Sequence, residues 1–210
     1  KPLGLVFKNV KKNARKLQNS HFKFSFFTST LYAYKYHPNR YLHRIFYQSH
    51  FFTFYMRFIT KKRWDEVALF AVSLGAWLGL QSFRDEKLSD CLFVSPILDM
   101  KYVISNIMRR AGISQERLKQ ERMILTPVGQ PLFWEYWSFV LNNPITKWKT
   151  PSRILYAEND DMTPLCIVRN FAQKFDCDLS VMKNGEHWFH TPQQLDYLRR
   201  WIKSAVENRR

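Results

Sequence analysis

A chain of 210 residues and 25.4 kDa, 46% hydrophobic and 24% charged, is one domain's worth of sequence and can bury a sizeable core. Its formal charge of +16, from 33 Lys+Arg against 17 Asp+Glu, predicts weak, salt-sensitive adhesion to anionic surfaces. The bases are scattered and no RNP, zinc or helix-turn-helix signature accompanies them, which argues against a specific nucleic-acid binder. No stretch reaches the roughly 18 to 20 apolar residues of a membrane span, and no signal-peptide pattern opens the chain.

In chain order, Leu3 to Phe7 reads as a short strand, Val10 to Gln18 as a brief basic helix, and Phe22 to Phe27 as a strand in which Phe alternates with Lys and Ser. The first residue is Lys1 rather than Met, as expected of a chain missing N-terminal residues. Thr28 to Arg63 is dense in aromatics and bases. Pro38-Asn39 can start a helix running to Thr60, read either as a crossover helix or as a lipid-contacting surface.

Val67 to Val72 is a short apolar run with the character of a buried strand, and after Ser73 a small-residue helix begins. Two readings of Ser73 compete. A serine at this junction can cap the helix through its hydroxyl, or it can sit on a nucleophile elbow, where the usual pattern is G-x-S-x-G. Here the pattern is Ala71-Val72-Ser73-Leu74-Gly75, with alanine in the first glycine's place.

Cys91 to Val94 is the next strand, ending at Ser95-Pro96-Ile97-Leu98-Asp99-Met100. Asp99 is read as a helix cap, a substrate contact or an alternative acid. Lys101 to Lys149 shows no strand pattern but two or three amphipathic helices, with Phe133, Trp134 and Trp137 among their apolar positions. Ile154 to Ala157 is a strand ending in Glu158-Asn159-Asp160-Asp161, and Pro164 to Phe175 is a helix. Asp178 to Met182 is the last strand, followed by Gly185-Glu186-His187-Trp188-Phe189-His190 and a final helix from Pro192 to Glu207. Alternating strands and helices predict an α/β protein with a parallel sheet joined by right-handed crossovers. Cys91, Cys166 and Cys177 are odd in number and lack C-x-x-C spacing, which fits a reduced, cytoplasmic protein.

From Glu66 to Ile202 the chain resembles the small bacterial α/β-hydrolase superfamily, serine hydrolases of the esterase or acyl-peptidase type. The motifs that carry the resemblance are Val72-Ser73-Leu74-Gly75, Ser95-Pro96-Ile97-Leu98-Asp99-Met100, Leu155-Tyr156-Ala157-Glu158-Asn159-Asp160 and Gly185-Glu186-His187-Trp188-Phe189-His190. The order serine, acid, histidine is that of this superfamily. The resemblance implies an α/β-hydrolase fold, a mostly parallel sheet of about six strands flanked by helices. Residues 101–149 would be a helical cap within one domain of residues 1–210.

By the same resemblance Ser73 is the nucleophile, His187 the base, and Asp160 the triad acid with Asp161 as fallback. The oxyanion hole falls to the N–H of Leu74 and a second N–H from Lys8 or Asn9. The turn Lys8-Asn9 lacks the His-Gly residues usual there, so a slow or inactive member that binds a ligand or partner is the alternative. Asp99, Phe133, Trp134, Trp137 and Trp188 line the implied substrate pocket. The substrate would be a small acyl ester, with no cofactor or metal, and a homodimer is left open.

Overall fold

The computed structural model describes residues 25–27, 67–86, 88–127, 129 and 131–207. The expected strand at Leu3–Phe7, the two helices expected before residue 61, and Lys8 and Asn9 lie outside them.

Strands β1 (Ser25–Phe27), β2 (Ala68–Val72), β3 (Asp90–Val94), β6 (Ser152–Asn159) and β7 (Asp178–Glu186) form a five-stranded sheet in the order β1-β2-β3-β6-β7. Every neighbouring pair is parallel. Five strands are described where the sequence implies six. Parallel neighbours need crossovers, and these are helices α1 (Leu74–Ser82), α5 (Leu165–Lys174) and a longer excursion between β3 and β6. Helix α6 (Pro192–Glu207) follows β7.

The central strands read as unbroken apolar runs because both faces are covered. Side chains alternate between the faces with the two-residue period of a strand. Leu69, Ala71, Cys91, Phe93, Ile154 and Tyr156 pack against Ala76 and Leu80 of α1 and Val168, Phe171 and Ala172 of α5. Phe70, Leu92, Val94, Leu155 and Ala157 face the other way, onto Leu198 and Ala205 of α6.

The excursion contains α2 (Met100–Arg110), α3 (Gln115–Glu121), strands β4 (Met123–Leu125) and β5 (Pro131–Phe133), and α4 (Trp134–Asn142). Its helices match the expectation in number. The β4-β5 pair does not, since no strand was expected between Lys101 and Lys149. The two strands form an antiparallel ladder of three residues each, with Ile124 and Leu132 inward and Met123 and Leu125 exposed. Three residues are too short for a period of two to stand out from helical spacing. A third apolar cluster joins this segment to the sheet body. In it Ile104, Met108, Leu118, Leu132, Trp137 and Val140 pack with Trp77 of α1, and Leu74, Leu78 and Met162 lie against them. Among the described residues no helix is long and apolar enough to cross a membrane.

Candidate active site

Three loops leave the C-terminal ends of β2, β6 and β7, the edge where parallel α/β sheets place ligands. Ser73 follows β2 with φ 52° and ψ −123°, a conformation that L residues rarely adopt. Main-chain bonds hold it there. Its N–H donates to the Val94 carbonyl at 3.0 Å, and its carbonyl accepts from the N–H groups of Ala76 and Ile97, each at 3.0 Å. The strain of such a residue persists only when its surroundings over-determine it. Although Ser73 stands at the N-cap position of α1, its hydroxyl makes no capping bond. The capping reading of this serine does not hold.

The hydroxyl lies 2.9 Å from His187 Nε2 instead, and His187 Nδ1 lies 2.7 Å from Asp160 Oδ2. A carboxylate only accepts, so with Asp160 ionised Nδ1 carries the ring hydrogen and Nε2 accepts from Ser73. The histidine and aspartate side chains are almost fully buried, at 1% and 0% exposure.

Asp160 is positioned by its own loop. Its N–H bonds to the Ala157 carbonyl at 3.0 Å, and its Oδ1 accepts from the N–H groups of Met162 at 2.8 Å and Thr163 at 3.1 Å. Tyr156 supports this turn from beneath, donating its hydroxyl to the Thr163 carbonyl at 2.8 Å. Burial, and then the nearby Asp160 carboxylate, push the Tyr156 phenol up to about 12. Asp161, the fallback acid, is exposed, and the ring nitrogen it would take is occupied by Asp160.

His187 is aimed by an irregular strand end. The pairing of β6 with β7 shifts register between Ala157 and Asn159, and Asn184 has φ 53°. The next residue is Gly185, where a Cβ would come within 3.1 Å of the Met182 carbonyl oxygen. Such bulges re-aim a side chain at a sheet edge. Phe189, 1% exposed, plugs the loop into the α6-side core. His190 points outward, its Nδ1 3.0 Å from Glu186 Oε2.

The residues expected around the substrate divide. Trp188 lies against the site, its ring 4.7 Å from the His187 ring in an edge-on arrangement and 37% exposed. Asp99 is the N-cap of α2, its carboxylate accepting from Tyr102 N–H at 2.9 Å. Trp137 is buried in the cluster of the inserted segment with its indole N–H on Gln115 at 3.2 Å. Phe133 and Trp134 are half-buried in the same segment, and Lys119 Nζ sits 5.8 Å from the Trp134 ring. Leu74, expected only for its N–H, and Met162, not expected at the site, are the immediate neighbours of Ser73 and Asp161, and both pack on that segment. Their signal was their position beside the motif residues. Lys8 and Asn9 lie outside the described residues, whereas the Leu74 N–H, first in α1, has no acceptor within its own helix. Among the described residues no group of three His, Cys, Asp or Glu is arranged to hold a metal ion.

No family model matches the sequence, and no curated protein does either. The fold is shared widely. Mouse alpha/beta hydrolase domain-containing protein 10 superposes with a TM-score of 0.60 at 15% identity, over 99% of this chain and 84% of that one. Est1E from Butyrivibrio proteoclasticus gives 0.60 at 14% identity over 73% and 66%. A monoacylglycerol lipase from Paleococcus ferrophilus gives 0.54 at 17% identity over 77% and 76%. The chain spans 62% of a matching protein from Agrobacterium vitis S4 and 66% of Est1E, under two thirds of either. Likeness at such identities speaks for architecture and not for chemistry: the chain has the α/β-hydrolase fold.

Proposed function

We propose that this chain is a serine hydrolase of carboxylic esters or related acyl substrates, with Ser73 as nucleophile, His187 as general base and Asp160 as the orienting acid. The observation that carries the reading is the buried relay from Ser73 Oγ through His187 to Asp160, with separations of 2.9 and 2.7 Å. Est1E, which shares the fold, has been seen with ferulic acid bound. An acyl substrate is consistent with that neighbour.

Ser73 Oγ attacks the acyl carbonyl carbon as its proton passes to His187 Nε2. Asp160 holds the ring in the tautomer that can accept that proton and stabilises the imidazolium formed. The carbonyl oxygen gathers negative charge, met by the Leu74 N–H at the positive end of α1. The second donor falls to Lys8 or Asn9. As the tetrahedral intermediate collapses, the C–O bond to the alcohol breaks and His187 returns the proton to the departing oxygen. Water then repeats the sequence on the acyl-enzyme. Residues 101–149 act as the cap, with Leu74 and Met162 joining it to the reacting centre. Free cysteines at positions 91, 166 and 177 support a cytoplasmic setting.

An oxyanion hole missing one donor loses about 100- to 1,000-fold in rate, so a poorly shaped Lys8-Asn9 turn makes a slow enzyme. A fluorophosphonate probe tests the reading. Stoichiometric labelling of the folded protein that disappears in Ser73→Ala is the expected result. Folded protein that takes no label favours the second reading, a non-enzymatic fold that binds a ligand, for which Ala71 and the glycine-free Lys8-Asn9 turn speak.

A further inference from the structure

We infer that Trp188 selects the leaving group, and that the preferred substrates are esters of planar aromatic alcohols; this rests on the Ser73-His187-Asp160 reading. His187 must deliver its proton to the departing oxygen, and such a transfer needs a separation of about 3 Å from Nε2. The alcohol therefore leaves against the His187 ring. Its Nδ1 side is closed by Asp160, and Ser73 faces Nε2. Trp188 packs on the same ring at 4.7 Å between centroids. The indole therefore flanks the ring that would serve the departing oxygen.

Burial separates Trp188 from its neighbours. Ser73 and His187 are 4% and 3% exposed and Phe189 is 1% exposed, yet Trp188, between the last two, is 37% exposed. Three large hydrophobic side chains stand out to solvent among the described residues, and the other two, Met123 and Leu125, lie on β4. An indole held by its contact with the histidine and open on its outer side offers a flat apolar surface beside the bond that breaks. Aromatic groups stack on such a surface, whereas small alkyl alcohols gain little from it.

The test compares 2-naphthyl acetate with 2,2,2-trifluoroethyl acetate, two esters of activated alcohols with the same acyl group, in the wild-type chain, Trp188→Ala and Trp188→Phe. We expect Trp188→Ala to lose about five- to tenfold in kcat/KM on the naphthyl ester, mainly through KM, and less than about twofold on the trifluoroethyl ester, with Trp188→Phe restoring most of the loss. Equal losses on both esters would mean that the indole only shields His187 and would overturn the proposal. Binding of 2-naphthol to the intact protein needs no turnover: wild type should bind and Trp188→Ala bind at least fivefold more weakly. Equal binding by both, or none by either, overturns the proposal even if fluorophosphonate labels Ser73. Absent labelling with Trp188-dependent naphthol binding overturns the serine-hydrolase reading and leaves an aryl site.

Discussion

Ser73 and Val94 are joined across neighbouring strands by a 3.0 Å hydrogen bond from the serine N–H to the valine carbonyl, and this bond holds the serine at φ 52°. A residue that glycine would occupy more easily is thereby kept in place for its hydroxyl. Ser73→Gly should relieve about 1 kcal/mol of backbone strain and raise Tm by about 2–4 °C. Hydrolysis and fluorophosphonate labelling should vanish together. A Tm that stays level or falls, measured by calorimetry, would show that the strand contacts remove the strain by another route.

Asp160 uses its two oxygens differently, and two substitutions separate them. Oδ2 meets His187, while Oδ1 meets the Met162 and Thr163 N–H groups. Asp160→Asn keeps an acceptor for the loop but favours the wrong histidine tautomer, so kcat should fall by about 10,000-fold with Tm within about 2 °C. Asp160→Ala leaves two N–H groups unpaired and should also destabilise by about 1–3 kcal/mol. Equal Tm losses in the two variants, by thermal melts, would contradict this division.

Tyr156 makes stability depend on alkaline pH. An unfolded tyrosine ionises near pH 10, whereas the folded one holds its proton to about 12. In that window the unfolded state binds fewer protons, so stability is complete below pH 10 and falls as pH rises toward 12. Tyr136, half-buried with its hydroxyl out of solvent, has its phenol raised in the same direction by burial and adds to the fall. Tyr156→Phe should cost about 1 kcal/mol at pH 7, through the lost bond to Thr163, and should flatten the decline above pH 10. Urea melts at pH 7, 10 and 11 measure both effects, and an unchanged alkaline slope would contradict the assignment.

At the opposite edge of the sheet, Arg153 Nη1 pairs with Asp90 Oδ2 at 2.7 Å and also donates to the Ala205 carbonyl, tying β3, β6 and α6 together. The two side chains are 15% and 10% exposed, so replacing Arg153 leaves the Asp90 carboxylate poorly solvated, while replacing Asp90 leaves the guanidinium only Asp178, 4.0 Å from Nε, and the Ala205 carbonyl. Asp90→Asn or Arg153→Met alone should cost about 3 kcal/mol, and the double variant less than the sum by at least about 1 kcal/mol. Additive losses in chemical denaturation would argue against coupling.

The sheet is legible because buried parallel strands carry continuous apolar runs: Cys91–Val94 is all of β3 but its first residue, and Ile154–Ala157 is the middle of β6. Their ends are harder to place. β6 and β7 run on through Glu158-Asn159 and Lys183-Asn184-Gly185-Glu186, where the ladder breaks after Ala157–Met182 and resumes only at Asn159–Glu186, a pairing that composition does not reveal. The residues of the relay stand out because each follows a strand in a short, punctuated motif. Trp137 does not explain itself that way, since an aromatic at helical spacing has the same pattern whether it lines a pocket or, as here, fills a core. Asp99 illustrates the same ambiguity for a carboxylate, and only its bond to the Tyr102 N–H settles it as a cap.

Ser73 and His187 meet although 114 residues separate them along the chain. During synthesis the serine is made before the histidine it meets, which arrives only with the loop after β7. Under the proposed function, Ser73 gains its reactivity only when the loop after β7 has docked against it. Covalent labelling of Ser73 would then time the closing of the sheet in a refolding experiment, without any added fluorophore.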